Sequence, residues 1–155
     1  MTLKLENKLW WEYIGEDLQE LLLTSKALVE KVSLLGENFD DYSFVVFPAA
    51  KAYEGFLKRM FLDMGLMRED EYYGDEIRIG RILNPNYMRD RGNVFDRLCG
   101  LEVSKTLWDS WKRGRNQVFH FFPHNFRRLS YDEAITIIND LISAMNSAVT
   151  GCKLK

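Results

Sequence analysis

Residues 104–121, which read SKTLWDSWKRGRNQVFHF, decide the fold class of this chain. Their apolar side chains recur at intervals of three, four and seven residues, which is the spacing of one face of an α-helix. These side chains are Leu107, Trp108, Trp111, Val118 and Phe119. Pro123 follows closely and disfavours α-helical geometry for the residue before it. The pattern predicts a helix from about Ser104 to Phe121.

Three further segments have the same helical periodicity. Residues 6–35 predict a long first helix. A second helix is predicted over residues 42–63, with Pro48 either in its first turn or at a kink. Residues 130–133, SYDE, match a capping box and predict the start of a last helix that Gly151 closes. We therefore expect an all-α bundle of four main helices.

Residues 66–93 lack this periodicity. The segment is acidic and rich in tyrosine at first, and then contains Gly80, Asn84-Pro85 and Gly92, which are typical of turns. We predict an irregular insertion with a short helix at most, and a further short helix around residues 94–99. At 155 residues the chain is long enough to bury one core, so we expect residues 1–155 to form a single domain.

Composition excludes several classes of protein. Hydrophobic residues make up 46% of the chain, which excludes a disordered protein. The N-terminus MTLKLENKLWWE is charged where a signal peptide is apolar, and the longest apolar run, residues 44–50, is too short for a membrane span. Cys99 and Cys152 have no metal-site or redox-motif spacing, which is typical of a reducing compartment. We expect a cytoplasmic protein without membrane contact.

The net charge of −2 hides an asymmetry along the chain. Residues 1–41 hold four lysines and nine acidic residues, whereas residues 105–128 hold six basic residues against Asp109. Residues 78–97 add five arginines. Two interpretations stay open: the charges solvate outer helix faces, or the basic block binds the phosphates of RNA.

The basic block contains Arg115 and Asn116, followed by His120, one of two histidines in the chain. An imidazole can move protons near neutral pH, and a guanidinium can hold two phosphate oxygens. Such a pair suits metal-independent cleavage of an RNA phosphodiester, and no metal-ligand spacing or cofactor motif is present. Positions 115 and 120 lie about 140° apart around an ideal helix. They converge only if the last turn unwinds, as Pro123 favours, or if a second copy lies opposite.

This string resembles the Arg-x(4–6)-His signature of the HEPN superfamily, small all-α domains that include many ribonucleases. Residues 44–61, FVVFPAAKAYEGFLKRMF, together with GRNQVFHFFPHN and the closing helix, are similar to the C-terminal HEPN domain of RNase LS toxins from bacterial toxin–antitoxin systems. The resemblance implies that Glu54 joins Arg115 and His120, and that a polar residue is usual at Asn116. Without it, Glu54 could equally be an exposed partner of Lys58.

The resemblance also implies a reaction and an assembly. The 2′-hydroxyl of RNA attacks its own phosphate and leaves a 2′,3′-cyclic phosphate, and a homodimer combines two Arg-His pairs in one composite site. We interpret Lys51, Lys58, Lys112 and Arg113 as candidates for binding RNA phosphates. A toxin or phage-defence role and a protein antitoxin are further expectations.

Two other functional classes stay open. A non-catalytic HEPN module would bind a partner protein, and an RNA-binding scaffold would use the basic face with Trp108, Trp111 and Phe126. In one toxin branch a tyrosine two residues after the histidine is modified by the antitoxin. Phe122 stands at that position here, which argues against this form of control but leaves direct blocking by a protein antitoxin possible.

Overall fold

A computed structural model describes residues 5, 9–36, 38–76, 78–87, 92–121, 123–124, 126–152 and 154. In order, the helices are α1 (Leu9–Ile14), α2 (Glu16–Leu35), α3 (Ser43–Asp63), α4 (Glu69–Tyr73), α5 (Ile79–Ile82), α6 (Val94–Arg97), α7 (Leu101–Trp111), a π-helical turn (Lys112–Asn116), α8 (Gln117–Phe119) and α9 (Tyr131–Cys152). Within these ranges the chain contains helices and no strand, so the predicted all-α class is confirmed.

Helix α3 lies at the centre of the bundle. It packs against α2 on one side and α9 on another, and α9 in turn packs against α7 and α1. The inner face of α3 carries large side chains without solvent exposure, namely Tyr53, Phe56, Leu57, Met60 and Phe61. Full burial of a large apolar side chain contributes about 1.5–3 kcal/mol to the stability of the fold. Helix α3 therefore supplies much of the core.

The first predicted helix is two helices in the structure. Gly15 separates α1 from α2 and has φ of 77°, a left-handed conformation that favours glycine. The guanidinium of Arg59 approaches here: its Nη1 donates to the carbonyl oxygen of Ile14 at 3.2 Å. A Cβ atom at Gly15 would lie 2.9 Å from the same nitrogen. The apolar pattern continues across the break, which is why periodicity predicts one helix; residues 6–8 of that prediction lie outside the described residues.

Pro48 lies inside α3, not in its first turn. Proline has no N–H to donate to the preceding turn, and the buried hydroxyl of Ser25 occupies the helix at this point. Ser25 Oγ donates to the carbonyl oxygen of Val45 at 2.8 Å and accepts from the N–H of Ala49 at 3.0 Å. A hydroxyl group of α2 therefore completes the hydrogen bonding of α3 beside its proline.

The start of the last helix is the predicted capping box. The N–H of Ser130 donates to Glu133 Oε2 at 2.9 Å, and the N–H of Glu133 donates to Ser130 Oγ at 3.2 Å. Helix α9 ends at Cys152, one residue beyond Gly151. Cys152 forms a disulfide with Cys99. The interpretation of these two cysteines as typical of a reducing compartment is therefore wrong, because 53 residues separate them and local spacing does not reveal that the fold brings them together. The bond links the end of α9 to the segment between α6 and α7.

The segment 66–93 is more regular than predicted. It contains the two short helices α4 and α5, and Ile79, Ile82 and Leu83 anchor α5 in the core. Helices of four or five residues are too short to produce a detectable period. The further short helix predicted around 94–99 is α6, where Asn93 Oδ1 accepts from the N–H of Phe95 at 2.9 Å.

Candidate functional site

The predicted third helix contains a π-helical turn at the motif. Leu101–Trp111 is α-helical, Lys112–Asn116 forms the wider π turn, and the N–H of Gln117 donates to the carbonyl oxygen of Lys112. Gly114, in the middle of this turn, is buried against α9, where a Cβ atom would lie 2.8 Å from Leu141 Cδ2. The absence of a side chain thus allows the turn to lie directly on α9.

The π turn and the end of the helix bring Arg115 and His120 together within one chain. Helix α8 ends at Phe119, and His120 is extended, with φ of −102° and ψ of 129°. Arg115 Nη1 lies 3.2 Å from His120 Nε2. Guanidinium nitrogens only donate hydrogen bonds, so this contact is a hydrogen bond when Nε2 is the unprotonated nitrogen of a neutral imidazole. The unwinding that Pro123 favours in the sequence is present.

Two other side chains hold the guanidinium of Arg115. Glu54 Oε2, from α3, lies 3.5 Å from Arg115 Nε, and both side chains are 32% exposed. Arg115 Cζ lies 5.3 Å from the ring centroid of Trp111, in a cation–π contact. Sequence reasoning missed this role of Trp111 and treated it as an apolar anchor. Its position four residues before Arg115, on the same helix face, is the signal that could have revealed it.

Two cavities meet at this group of side chains. The larger has a volume of about 600 Å³ and takes residues from α3, α5 and the helix that carries the motif. Its lining residues are Glu54, Arg78, Ile79, Gly80, Arg81, Asn84, Trp108, Trp111, Arg115, Asn116 and His120. The smaller, of about 250 Å³, is lined by Phe47, Ala50, Lys51, Glu54, Arg115 and Phe119. Glu54 and Arg115 line both.

The structure brings together five of the eight residues that the sequence nominates. Arg115, His120, Glu54 and Asn116 share the larger cavity, and Lys51 joins Glu54 and Arg115 in the smaller.

The other three candidates lie elsewhere. Arg113 Nη1 pairs with Asp140 Oδ2 at 3.4 Å, in a separate groove between α7 and α9. Lys58 and Lys112 line neither cavity at the motif. Residues two positions apart point to different sides of a helical turn, so Arg113 faces Asp140 of α9 while Arg115 faces Glu54 of α3.

A family model described as RnaseLS-like HEPN matches residues 12–121, which include α3 and the complete motif. The chain belongs to this family. Comparison with curated proteins and with solved structures finds no significant match. In this HEPN domain, Arg115 and His120 are in direct contact.

Neither a metal-binding group nor a membrane span is found in the described part of this HEPN domain. No three His, Cys, Asp or Glu side chains among the described residues come together as metal ligands. None of the helices in the described ranges combines the length and apolar character that crossing a bilayer requires.

Proposed function

We propose that this HEPN domain is an endoribonuclease that cleaves RNA without a metal ion. The observation that carries the proposal is the contact of Arg115 with His120 inside one chain, supported by the ion pair with Glu54. A guanidinium can stabilise the charge that develops on a phosphate, and a neutral imidazole beside it can accept a proton. HEPN domains are often ribonucleases, so membership of the family also supports the proposal.

In the proposed reaction, the 2′-oxygen of RNA forms a bond with the adjacent phosphorus while the bond from phosphorus to the 5′-oxygen breaks. The proton of the 2′-hydroxyl passes to His120 Nε2, and a general acid gives a proton to the leaving 5′-oxygen. Arg115 holds the non-bridging oxygens, and Asn116, in the same cavity, can orient the phosphate through its amide. The products are a 2′,3′-cyclic phosphate and a 5′-hydroxyl.

The chemistry requires two proton transfers, and the motif provides one histidine per chain. We propose that a homodimer supplies the second Arg-His pair in a composite site. Exposed aromatic side chains flank the motif: Phe47 is 56% exposed and in edge contact with Phe119, and Phe121 is 72% exposed. An apolar surface of this kind beside the catalytic groups suits association with a second copy.

We further propose that the activity serves a toxin or phage-defence system and that a protein antitoxin blocks the site. The position of Phe122, on which the argument against tyrosine modification rests, lies outside the described residues. The second candidate function is a partner-binding module without catalysis, and the same exposed phenylalanines favour it.

The test is cleavage of single-stranded RNA in EDTA by the purified protein and two variants. We expect His120→Ala to reduce the rate about 10²–10⁴-fold and Arg115→Ala about 10²–10³-fold. Arg113→Ala is the matched control. It removes the same charge two residues away, and the side chain of Arg113 faces Asp140 outside the site. It should leave cleavage almost unchanged. The new 3′ end should be a cyclic phosphate, and DNA should not be cut.

A second comparison tests the role of Glu54. Glu54→Gln keeps the shape of the side chain but removes the charge that holds the Arg115 guanidinium. We expect a lower rate with binding of RNA retained. A folded protein that cleaves no RNA, or a His120→Ala variant as active as the parent, would reject the ribonuclease and favour the partner-binding module.

A further inference from the structure

Helix α5, from the segment without helical periodicity, forms one wall of the larger cavity. Ile79 and Ile82 anchor it in the core, so the wall is part of the folded domain. Its backbone lies against the indole of Trp111: a Cβ atom at Gly80 would lie 2.2 Å from Trp111 Nε1. The tryptophan that contacts Arg115 therefore also packs against α5.

The α5 wall carries two arginines. Arg78 and Arg81 are exposed and both line the cavity, together with Arg115. Among the described residues, no carboxylate forms an ion pair with the guanidinium of Arg78 or Arg81. Of the described residues that line the cavity, Glu54 alone is acidic. Arg115 and Glu54 balance each other in charge, so Arg78 and Arg81 give the cavity a net positive charge.

Helix α7 contributes an aromatic side chain to the same cavity. Trp108 is partly buried and lines the cavity. The volume of about 600 Å³ lies within the range of about 300–1,000 Å³ that is typical of sites for small ligands. Two arginines and a tryptophan that line one cavity match the two parts of a nucleotide, its phosphate and its base.

We propose that this cavity is a subsite for one unpaired nucleotide of RNA, next to the phosphate that is cleaved. Trp108 stacks on the base, and Arg78 and Arg81 bind the phosphate that follows it. The proposal rests on the ribonuclease function above and names its substrate as single-stranded RNA. A base within a duplex is already stacked and paired, so it cannot enter the cavity without a cost in free energy.

The test is binding of a fluorescent single-stranded 2′-fluoro RNA, which has no 2′-hydroxyl for attack, followed by anisotropy over a range of salt concentrations. The variant Arg78→Gln/Arg81→Gln should weaken binding about tenfold or more. The slope of log K against log salt should become shallower by about 0.7 for each phosphate that the variant no longer neutralises. Arg68→Gln is the matched control: it lies in the same segment, its charge is paired with Asp70, and it lines neither cavity.

Two substitutions separate stacking from simple packing. Trp108→Phe retains an aromatic face and should keep most of the affinity, whereas Trp108→Leu retains apolar bulk and should lose about tenfold. Circular dichroism melts establish that each variant is folded. A duplex of the same 2′-fluoro strand with its complement should bind more weakly than the single strand.

The outcomes separate this proposal from the ribonuclease itself. If the double arginine variant binds as tightly as the Arg68→Gln control, or if the leucine and phenylalanine variants bind equally, the subsite is wrong even when RNA is cleaved. If the variants weaken binding as expected but the parent protein cleaves nothing, the subsite stands and the catalytic function fails.

Discussion

Gly80→Ala is the substitution that most directly tests the wall between α5 and the motif. The added Cβ atom would lie 2.2 Å from Trp111 Nε1 and 2.8 Å from Cε2, where ordinary contacts begin at 3.4 Å. Helix α5 and the indole must therefore separate by roughly 1 Å. Trp111 is 5% exposed and packed in the core, so moving it aside costs packing contacts. Overpacking of this kind costs about 1–3 kcal/mol, and the higher helix propensity of alanine offsets up to about 1 kcal/mol.

We expect a net loss of about 1–2 kcal/mol in the free energy of unfolding, measured by urea denaturation. Gly55→Ala is the matched control: its Cβ would lie 2.6 Å from the tip of Leu18, a half-buried side chain that can rotate away, so the loss should be smaller. In a double-mutant cycle, Trp111→Phe should make room and recover about 0.5–1.5 kcal/mol of the loss. If Gly80→Ala is as stable as the parent and uncoupled from position 111, α5 does not lie against the indole.

Three further substitutions test other parts of the fold. Ser25→Ala removes both bonds that complete α3 at Pro48 and should cost about 1–3 kcal/mol in urea denaturation, whereas the exposed Thr24→Ala should change stability by less than about 0.5 kcal/mol. Partial burial would raise the pKa of Asp41, but hydrogen bonds from Leu129 and Ser43 outweigh burial and lower it. The stability that this carboxylate adds is present above pH about 4 and is lost as the pH falls through the lowered pKa. In Asp41→Asn, the free energy of unfolding should therefore decrease less between neutral and acidic pH than in the parent. Cys152→Ser should lower the stability of the oxidised protein by about 2–4 kcal/mol and leave that of the reduced protein almost unchanged.

The sequence predicts a helix where buried residues recur at helical spacing. It predicts a helix start where the residue types of a capping box are present. The capping box at Ser130 and Glu133 forms both of its reciprocal hydrogen bonds. The break at Gly15 has no such signature, because the apolar positions of α1 and α2 stay in register across it. What fixes that break is the guanidinium of Arg59, bonded to Ile14 from 45 residues further along the chain. A contact between distant residues leaves no trace in local spacing.

The same distinction applies to the candidate site. Arg115, His120 and Glu54 follow from a motif and a family resemblance, and the structure places them in contact. Arg78 and Arg81 could not be assigned to the cavity, because α5 is too short to produce a period and its burial depends on Trp111. Trp108 could be named as an RNA-binding aromatic, but local spacing does not place it beside these arginines. The basic charge of both segments was visible in the sequence, but which arginines share a cavity depends on packing. Arg113 illustrates the converse, since it lies in the motif and faces Asp140.

Arg115 and His120 have different surroundings, and this difference suits their proposed roles. Arg115 follows Gly114, which lies between Leu141 and Ile137 of α9, so the guanidinium is carried by the packed core and held by Glu54 and Trp111. His120 is the first extended residue after the helix and is exposed to solvent. A phosphate that binds the guanidinium of Arg115 competes with His120 Nε2 for the same N–H donors. In the proposed reaction, arrival of the substrate would therefore break the contact between Arg115 and His120 Nε2, the nitrogen that we propose as the acceptor of the 2′-hydroxyl proton.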